Sequence, residues 1–139
     1  MTNAFHYLLE ELSKIFQMPL HLDHLGACSI LFPQNLIVQM QLDSTETSLY
    51  LFSKLAPLPP GRFREEVLKE ALKANGLQDP IPAIFCYIDQ TNHLAIYQSY
   101  PLQILNGEKL AALFTSFLAV ATSWKEAILK GQTHPSGFR

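Results

Sequence analysis

The period of the hydrophobic pattern changes along this chain, and that change constrains the fold more than any other feature. In residues 4–16, apolar side chains recur at offsets of three and four, as on one face of an amphipathic helix. From Cys28 onward the period becomes two, which is typical of strands that turn one face toward a core. The chain is therefore predicted to combine helices with a sheet whose strands follow one another directly.

The period-two segments predict five strands separated by short polar turns. The segment after the first turn alternates apolar residues with Gln39 and Gln41, so one face of the sheet is expected to be exposed to solvent. The third strand is apolar on both faces, which predicts a central or doubly covered position. The predicted strands are residues 28–32, 36–42, 48–55, 83–89 and 93–100.

Two further helices complete the order. One follows Pro59-Pro60 and stops at Asn75-Gly76, and the last runs from Gly107, capped by Asn106, to about Leu129. The uncharged stretch of the last helix is shorter than the roughly 20 residues that span a bilayer, so a core helix is predicted, without membrane insertion. The predicted fold class is α+β with the order α-β-β-β-α-β-β-α, an antiparallel twisted sheet with helices packed on it. Residues 1–139 are expected to form one domain, with a flexible tail at 132–139.

Composition excludes several classes of function. A net charge of −2 and a pI of about 6.2, without a basic stripe, argue against nucleic acid as a partner. The N-terminus lacks the basic and apolar regions of a secretory signal, which predicts a cytoplasmic protein. With 48% hydrophobic and only 16% charged residues, the chain has few charges to cover its surface. Some apolar surface is therefore expected to contact another chain.

Residues that could perform chemistry are few. His21, Asp23, His24 and Cys28 are ligand types close together, but loop spacing of this kind is a weak metal signal, so neither metal nor cofactor is predicted. The sequence contains no nucleophile elbow or phosphate-binding glycine loop, and the pairs Glu10-Glu11 and Glu65-Glu66 are expected to project largely toward solvent. A non-enzyme is predicted. The alternatives are a small enzyme or ligand-binding protein with a site between the first helix and the sheet, and a stand-alone interaction domain.

The apolar stripe of the first helix has two interpretations. It either packs entirely into the core, or it leaves a groove beside the strand Ser29 to Phe32 for an apolar segment of a partner. The sequence alone favours neither of these two interpretations. The residues predicted to bind such a partner are Phe5, Tyr7, Leu8, Leu12, Ile15, Phe16, Ile30 and Phe32.

Two long segments carry a resemblance to a known family. The run from Leu58 to Leu77, containing "LKEALKANGL", and the later segment "LQILNGEKLAALFTSFLAVATSWKEAI" resemble the CesT/SycE-type class I chaperones of bacterial type III secretion. The resemblance covers nearly the whole chain, because the order of helices and strands is also that of the family. "NGEKLA" and the segment at Trp124 are most similar to chlamydial members that serve the secretion gatekeeper. The family is usually more acidic than this chain.

The resemblance implies a non-catalytic, cytosolic bacterial chaperone without cofactors. It implies that the partner is the N-terminal segment of a secreted effector or gatekeeper protein, bound in non-globular form and passed to the type III export ATPase. It further implies a homodimer, or a heterodimer with a second chaperone. Within the implied interface, Phe63, Leu68 and Leu72 could instead seal the monomer core. The implied dimer interface is Phe63, Val67, Leu68, Ala71, Leu72, Phe85 and Tyr87.

Overall fold

A five-stranded antiparallel sheet organises the protein, as seen in a computed structural model that describes residues 3–75 and 83–136. The strands lie in the order β1-β2-β3-β5-β4, so β3 is central, as predicted, and β1 and β4 are the edges. The predicted α+β order is confirmed. The strands are β1 (Cys28–Phe32), β2 (Leu36–Leu42), β3 (Ser48–Pro57), β4 (Ile84–Ile88) and β5 (His93–Pro101).

Three helices accompany the sheet: α1 (Asn3–Phe16), α2 (Arg62–Asn75) and α3 (Gly107–Leu129). A short 3₁₀ turn at Leu102–Ile104 precedes α3. The predicted start of α3 is confirmed, because the Asn106 side chain accepts a hydrogen bond from the Lys109 N–H at 2.8 Å. α2 is helical through Asn75, and the predicted stop at Asn75-Gly76 stays a prediction because Gly76 lies outside the described residues.

The inner face of the sheet forms the core with α1 and α3. Alternate residues of β2 and β3, such as Val38 and Leu51, are fully buried, and α3 presents a buried stripe to them. Within this core the ring of Trp124 lies 4.5 Å from that of Phe85 on β4, centroid to centroid. Each large side chain buried in this way stabilises the fold by about 1.5–3 kcal/mol. The buried stripe of α3 is Leu110, Phe114, Phe117, Ala121, Trp124 and Ile128.

By length and composition alone, α3 is long and apolar enough to cross a membrane. A core helix of a soluble domain passes the same test, and the stripe of α3 that is spaced at three and four residues packs on β3 instead. The structure therefore agrees with the prediction of a core helix.

Turn residues match the backbone geometry that the hairpins require. Asn35 ends the β1–β2 turn at φ +63°, and Asn92 ends the β4–β5 turn at φ +55°. Asparagine tolerates this left-handed conformation better than most residues do. The Lys125 ammonium donates to the Asn35 carbonyl at 2.6 Å, so the first hairpin is tied to α3.

Helices α1 and α3 approach closely at the N-terminus of α3. The Gly107 N–H donates to the Glu11 carboxylate at 2.9 Å, which partners an amide that has no acceptor within its own helix. Glu11 lies at an exposed position, as predicted, and its carboxylate also joins the two helices. A Cβ at position 107 would lie 2.5 Å from the Cβ of Glu11, so only glycine permits this distance.

The tail predicted at 132–139 is partly described. Gly131, at φ +84°, reverses the chain after α3, and the Gln132 N–H donates to the Ala127 carbonyl at 2.8 Å. Pro135 is buried, and His134 Nδ1 lies 3.9 Å from a Glu70 carboxylate oxygen. Residues 137–139 lie outside the described residues, and the flexibility of the tail stays a prediction.

We expect Gly107→Ala to lower the free energy of unfolding by about 1–3 kcal/mol, because the added methyl group forces α1 and α3 apart. Urea denaturation measures this change. Ser116→Ala, at an exposed position of the same helix, is the matched control and should change stability by less than about 0.5 kcal/mol. Equal stability of the two variants would contradict the close approach.

Stability is expected to fall at alkaline pH because of Tyr100. This side chain is fully buried, and burial raises its pKa to about 12. An unfolded tyrosine ionises near pH ~10, so above that pH the unfolded chain releases a proton that the folded chain keeps, and unfolding becomes more favourable. Urea titrations between about pH 9 and 12 should show a weaker loss for Tyr100→Phe than for the native protein. Leu25→Ala, at an exposed position without an ionisable group, should keep the native slope.

Candidate functional site

The residues predicted to bind a partner segment divide into two groups by burial. Tyr7 is 67% exposed and Ile15 is 45% exposed on the outside of α1. Phe16 and Phe32 are half-buried and pack edge to face, with ring centroids 6.1 Å apart. These four can meet a partner without any change in the monomer. The remaining four, which lie in the monomer core, are Phe5, Leu8, Leu12 and Ile30.

The contact between Phe16 and Phe32 places the end of α1 beside the end of β1. Both rings also pack on Phe114 of α3, at centroid distances of 5.5 and 5.7 Å. The predicted neighbourhood of α1 and β1 therefore exists, but a core aromatic ring fills the space between them. The open surface runs outside this cluster, over the exposed side of α1 and the edge of β1.

A shallow groove, here called the α1 groove, lies between α1 and the chain that follows it. Its volume is about 600 Å³, and Leu9, Leu20 and Leu22 supply apolar surface. Glu10 and Lys14 place one charge of each sign at its margin. An extended segment with apolar side chains at intervals fits such a groove better than a small polar ligand does.

The second face of the sheet points away from the helices and is here called the outer sheet face. Leu31 is 63% exposed and Ile37 is 57% exposed, and the two are directly paired across β1 and β2. Farther along, the rings of Tyr50 and Tyr97 lie 6.3 Å apart. Phe52 is half-buried beside them and, with Gln39 and Gln41, borders a depression of about 330 Å³. This exposed mixture of aliphatic, aromatic and amide groups is typical of a protein-binding surface.

Sequence reasoning assigned no role to the outer sheet face. The glutamines of β2 predicted a polar, solvent-exposed face, but Leu31, Ile37 and Tyr50 make the outer sheet face partly apolar. A signal was available, because Ile37 breaks the alternation of β2 by placing an apolar side chain on the same face as Gln39 and Gln41.

The residues predicted to form a dimer interface are also divided by burial. Leu72 is 71% exposed on α2, and Phe63, Leu68 and Tyr87 are half-buried. A groove of about 170 Å³ separates α2 from β4 beside Leu68 and Leu72. The other predicted residues, which are buried within the monomer, are Val67, Ala71 and Phe85.

A polar contact that the sequence did not reveal joins α2 to β4. The Arg64 guanidinium donates to the Tyr87 hydroxyl at 2.7 Å and lies 5.2 Å from the centroid of the Tyr87 ring. The Tyr87 hydroxyl in turn donates to the Asn92 side chain at 2.5 Å. This set of contacts orients Tyr87 at the border of the predicted dimer surface.

The loop with metal-ligand residue types is organised by hydrogen bonds. The Asp23 carboxylate accepts from the N–H groups of Ala27 and Leu25 at 3.0 and 2.8 Å, and these bonds lower its pKa. Cys28 is buried, which raises the pKa of its thiol and keeps it protonated. Among residues 3–75 and 83–136, no three His, Cys, Asp or Glu side chains gather where they could hold a metal ion. Asp23 thus serves to shape the turn that leads into β1.

The site proposed in the enzyme alternative, between α1 and the sheet, is filled by core side chains. Leu8, Leu12 and Ile30 are at most 4% exposed there, and His24 lies on the surface. Burial also raises the pKa of Cys86, the second thiol. Neither thiol has the exposed, cationic surroundings that activate a nucleophilic cysteine.

The comparisons with solved structures show that this fold is shared. The "HopA1-SchA Chaperone-Effector Complex" has a TM-score of 0.73 at 22% identity and covers 89% of this chain and 94% of that chain. The "ExsC-ExsE Complex" has a TM-score of 0.71 at 21% identity, covering 99% and 98%. The Yersinia pestis type III secretion chaperone SycH, in complex with a fragment of YscM2, has a TM-score of 0.63 at 18% identity, covering 82% and 93%.

The α+β architecture is therefore that of type III secretion chaperones. The sequence profile of the Tir chaperone protein (CesT) family matches residues 7–125, and the chain belongs to this family. No curated protein sequence matches the chain. The resemblance that the sequence suggested is confirmed at the level of the family. The closer similarity to chlamydial members stays a prediction.

Proposed function

We propose that this protein is a type III secretion chaperone. It binds the N-terminal chaperone-binding region of a secreted effector or gatekeeper protein in non-globular form and keeps this client soluble and competent for secretion. It acts in the bacterial cytoplasm as one domain that includes residues 1–139, and it passes the client to the export ATPase. The proposal includes no catalytic step and no cofactor.

The observation that carries the proposal is the amount of apolar surface left open on a fold of this family. The α1 groove lies between α1 and residues 19–22, the outer sheet face includes Leu31 and Ile37, and Leu31, Ile37 and Tyr7 are more than half exposed. Membership of the chaperone family and likeness to solved chaperone–effector complexes support a polypeptide as the occupant of this surface.

The geometry explains why the client should be extended when it binds. The open surfaces are shallow and are distributed over α1, the β1 edge and the outer sheet face. A folded client would cover only one of them, whereas an extended segment can lay a strand along β1 and place apolar side chains on both neighbouring surfaces. The ordering cost of such a segment is offset by the large area that it buries.

The proposal includes a two-fold dimer through the α2 face, with a second, different chaperone subunit as the alternative partner. Leu72, Leu68 and Phe63 supply exposed or half-buried apolar surface, and the narrow groove beside β4 can receive side chains of the partner. A closed symmetric dimer requires one self-complementary patch, and a helix with this outer face provides it. The buried positions Val67, Ala71 and Phe85 support this surface from beneath.

To test the client surface, Tyr7 and Ile15 are replaced together by serine. We expect the affinity for the N-terminal segment of the co-purifying secreted protein to fall by at least about tenfold, because two exposed apolar contacts are lost. Isothermal titration calorimetry measures the dissociation constant. Leu129→Ser, at an exposed position at the far end of α3, is the control and should bind normally.

A double variant that is folded and binds the client as the native protein does would contradict the assignment of α1. Isolation of the native protein without any secreted polypeptide, but with a bound small molecule, would contradict the chaperone function itself. The two results are distinguishable because the second requires no substitution.

To test the dimer, Leu72 is replaced by aspartate. Since the side chain is exposed in the monomer, the variant should fold, but a charge buried at a symmetric interface is strongly unfavourable. We expect multi-angle light scattering to change from the mass of two chains to that of one. Leu25→Asp, at an equally exposed loop position, should remain dimeric. A dimeric Leu72→Asp protein would place the interface elsewhere.

A further inference from the structure

The edge of β4 has a hydrogen-bond partner that comes from a side chain. The Phe85 N–H donates to Asn75 Oδ1 at 2.7 Å, and Asn75 Nδ2 donates to the Phe85 carbonyl at 3.1 Å. These are the acceptor and the donor that a residue of a neighbouring strand would supply. The Asn75 amide therefore takes the place of one residue of a sixth strand.

The register of the sheet shows that these bonds lie on the open side of β4. Phe85 is directly opposite Ile96 of β5, and its main-chain groups bond to Asn75. Alternate residues of an antiparallel edge strand direct their main-chain groups outward. In the five residues of β4 the outward positions are thus Phe85 and Tyr87.

Helix α2 runs beside β4 and contacts both outward residues, Phe85 through its main chain and Tyr87 through its side chain. Its last residue, Asn75, binds Phe85, and Arg64 in its first turn binds the Tyr87 side chain. The two contacts fix both ends of α2 along the β4 edge. A strand that paired with β4 at Phe85 would have to replace the Asn75 bonds.

The opposite edge is different. β1 pairs with β2 through all five of its residues, and its other side faces no strand. The bonds between Asp23 and Ala27 and between Lys125 and Asn35 lie just outside the two ends of the strand. Ser29 and Leu31 are exposed along it. An extended polypeptide can reach the main-chain groups of β1 without displacing any part of the fold.

We infer that Asn75 closes the β4 edge to strand pairing and thereby restricts the addition of an extended polypeptide to the β1 edge. The identity of that polypeptide as a secreted client rests on the proposed function. The closure itself applies to any extended segment, including one from a second copy of this chain. Proteins commonly protect exposed edges in this way, because an unpaired edge templates aggregation.

Amide hydrogen exchange at single-residue resolution tests the closure. In the native protein the Phe85 amide should exchange slowly, because Asn75 is its acceptor. Asn75→Leu keeps the approximate volume and removes both hydrogen bonds, so the exchange of Phe85 should become at least tenfold faster. Cys86, which bonds toward β5, should keep its native rate. Lys69→Ala, at an exposed position of α2, is the matched control.

Asn75→Asp provides a second variant in case Asn75→Leu does not fold. Its carboxylate keeps an acceptor for the Phe85 N–H and loses the donor to the Phe85 carbonyl, so the Phe85 amide should stay slow. A fast Phe85 amide in the native protein, or an unchanged rate in folded Asn75→Leu, would overturn the inference.

Light scattering over a range of concentrations tests the consequence for partners. Asn75→Leu should form assemblies larger than those of the native protein, whereas Lys69→Ala should not. A variant with a fast Phe85 amide and a native mass at every concentration would show that something other than Asn75 closes this edge. Neither measurement uses a client, so failure to find a secreted partner would leave both results interpretable.

Discussion

The packing of α3 against one face of the sheet is the interaction on which the other features depend. Its buried stripe reaches from Leu110 to Ile128 and contacts the central strand, while Phe114 and Trp124 connect it to α1 and to β4. Helices α1 and α3 both pack on this face, and α2 lies beside β4, so none of the three helices in the described residues covers the opposite face. The exposed apolar side chains of the outer sheet face are a direct result.

The client-binding region that we propose is therefore assembled from elements that the core already fixes. The Glu11–Gly107 contact holds α1 against α3, and the Lys125–Asn35 contact holds the β1–β2 hairpin against the same helix. Helix α1 and the β1–β2 hairpin are thus both attached to α3. A rigid surface loses little conformational entropy on binding, so most of the ordering cost falls on the client.

Hydrophobic periodicity was sufficient to predict the fold, because strands and helices have different periods and their boundaries are marked by local residues. Asn106 and the two left-handed asparagines, at 35 and 92, are local signals of this kind. The candidate site was harder to predict. Phe5, Leu8 and Leu12 lie on the same stripe as a binding helix would use, and periodicity cannot show which apolar residues remain exposed after tertiary packing.

The contacts of Glu11 with Gly107 and of Asn75 with Phe85 could not be predicted from the sequence, for another reason. Each joins residues that are distant along the chain, and their partners are main-chain groups that carry no sequence signal. Asn75 was predicted, together with Gly76, to stop α2, but its bonds to Phe85 depend on where β4 lies. Such contacts require the arrangement of the elements to be known first.

The position of Trp124 has a practical consequence. It is the only tryptophan of the chain, it is buried, and it packs on Phe85, the residue whose main chain Asn75 holds. Its emission spectrum therefore reports on the junction of α3 and β4 without any attached dye. The client surface that we propose lies at the other edge of the sheet. Intrinsic fluorescence should consequently distinguish events at the dimer side of the molecule from the arrival of a client.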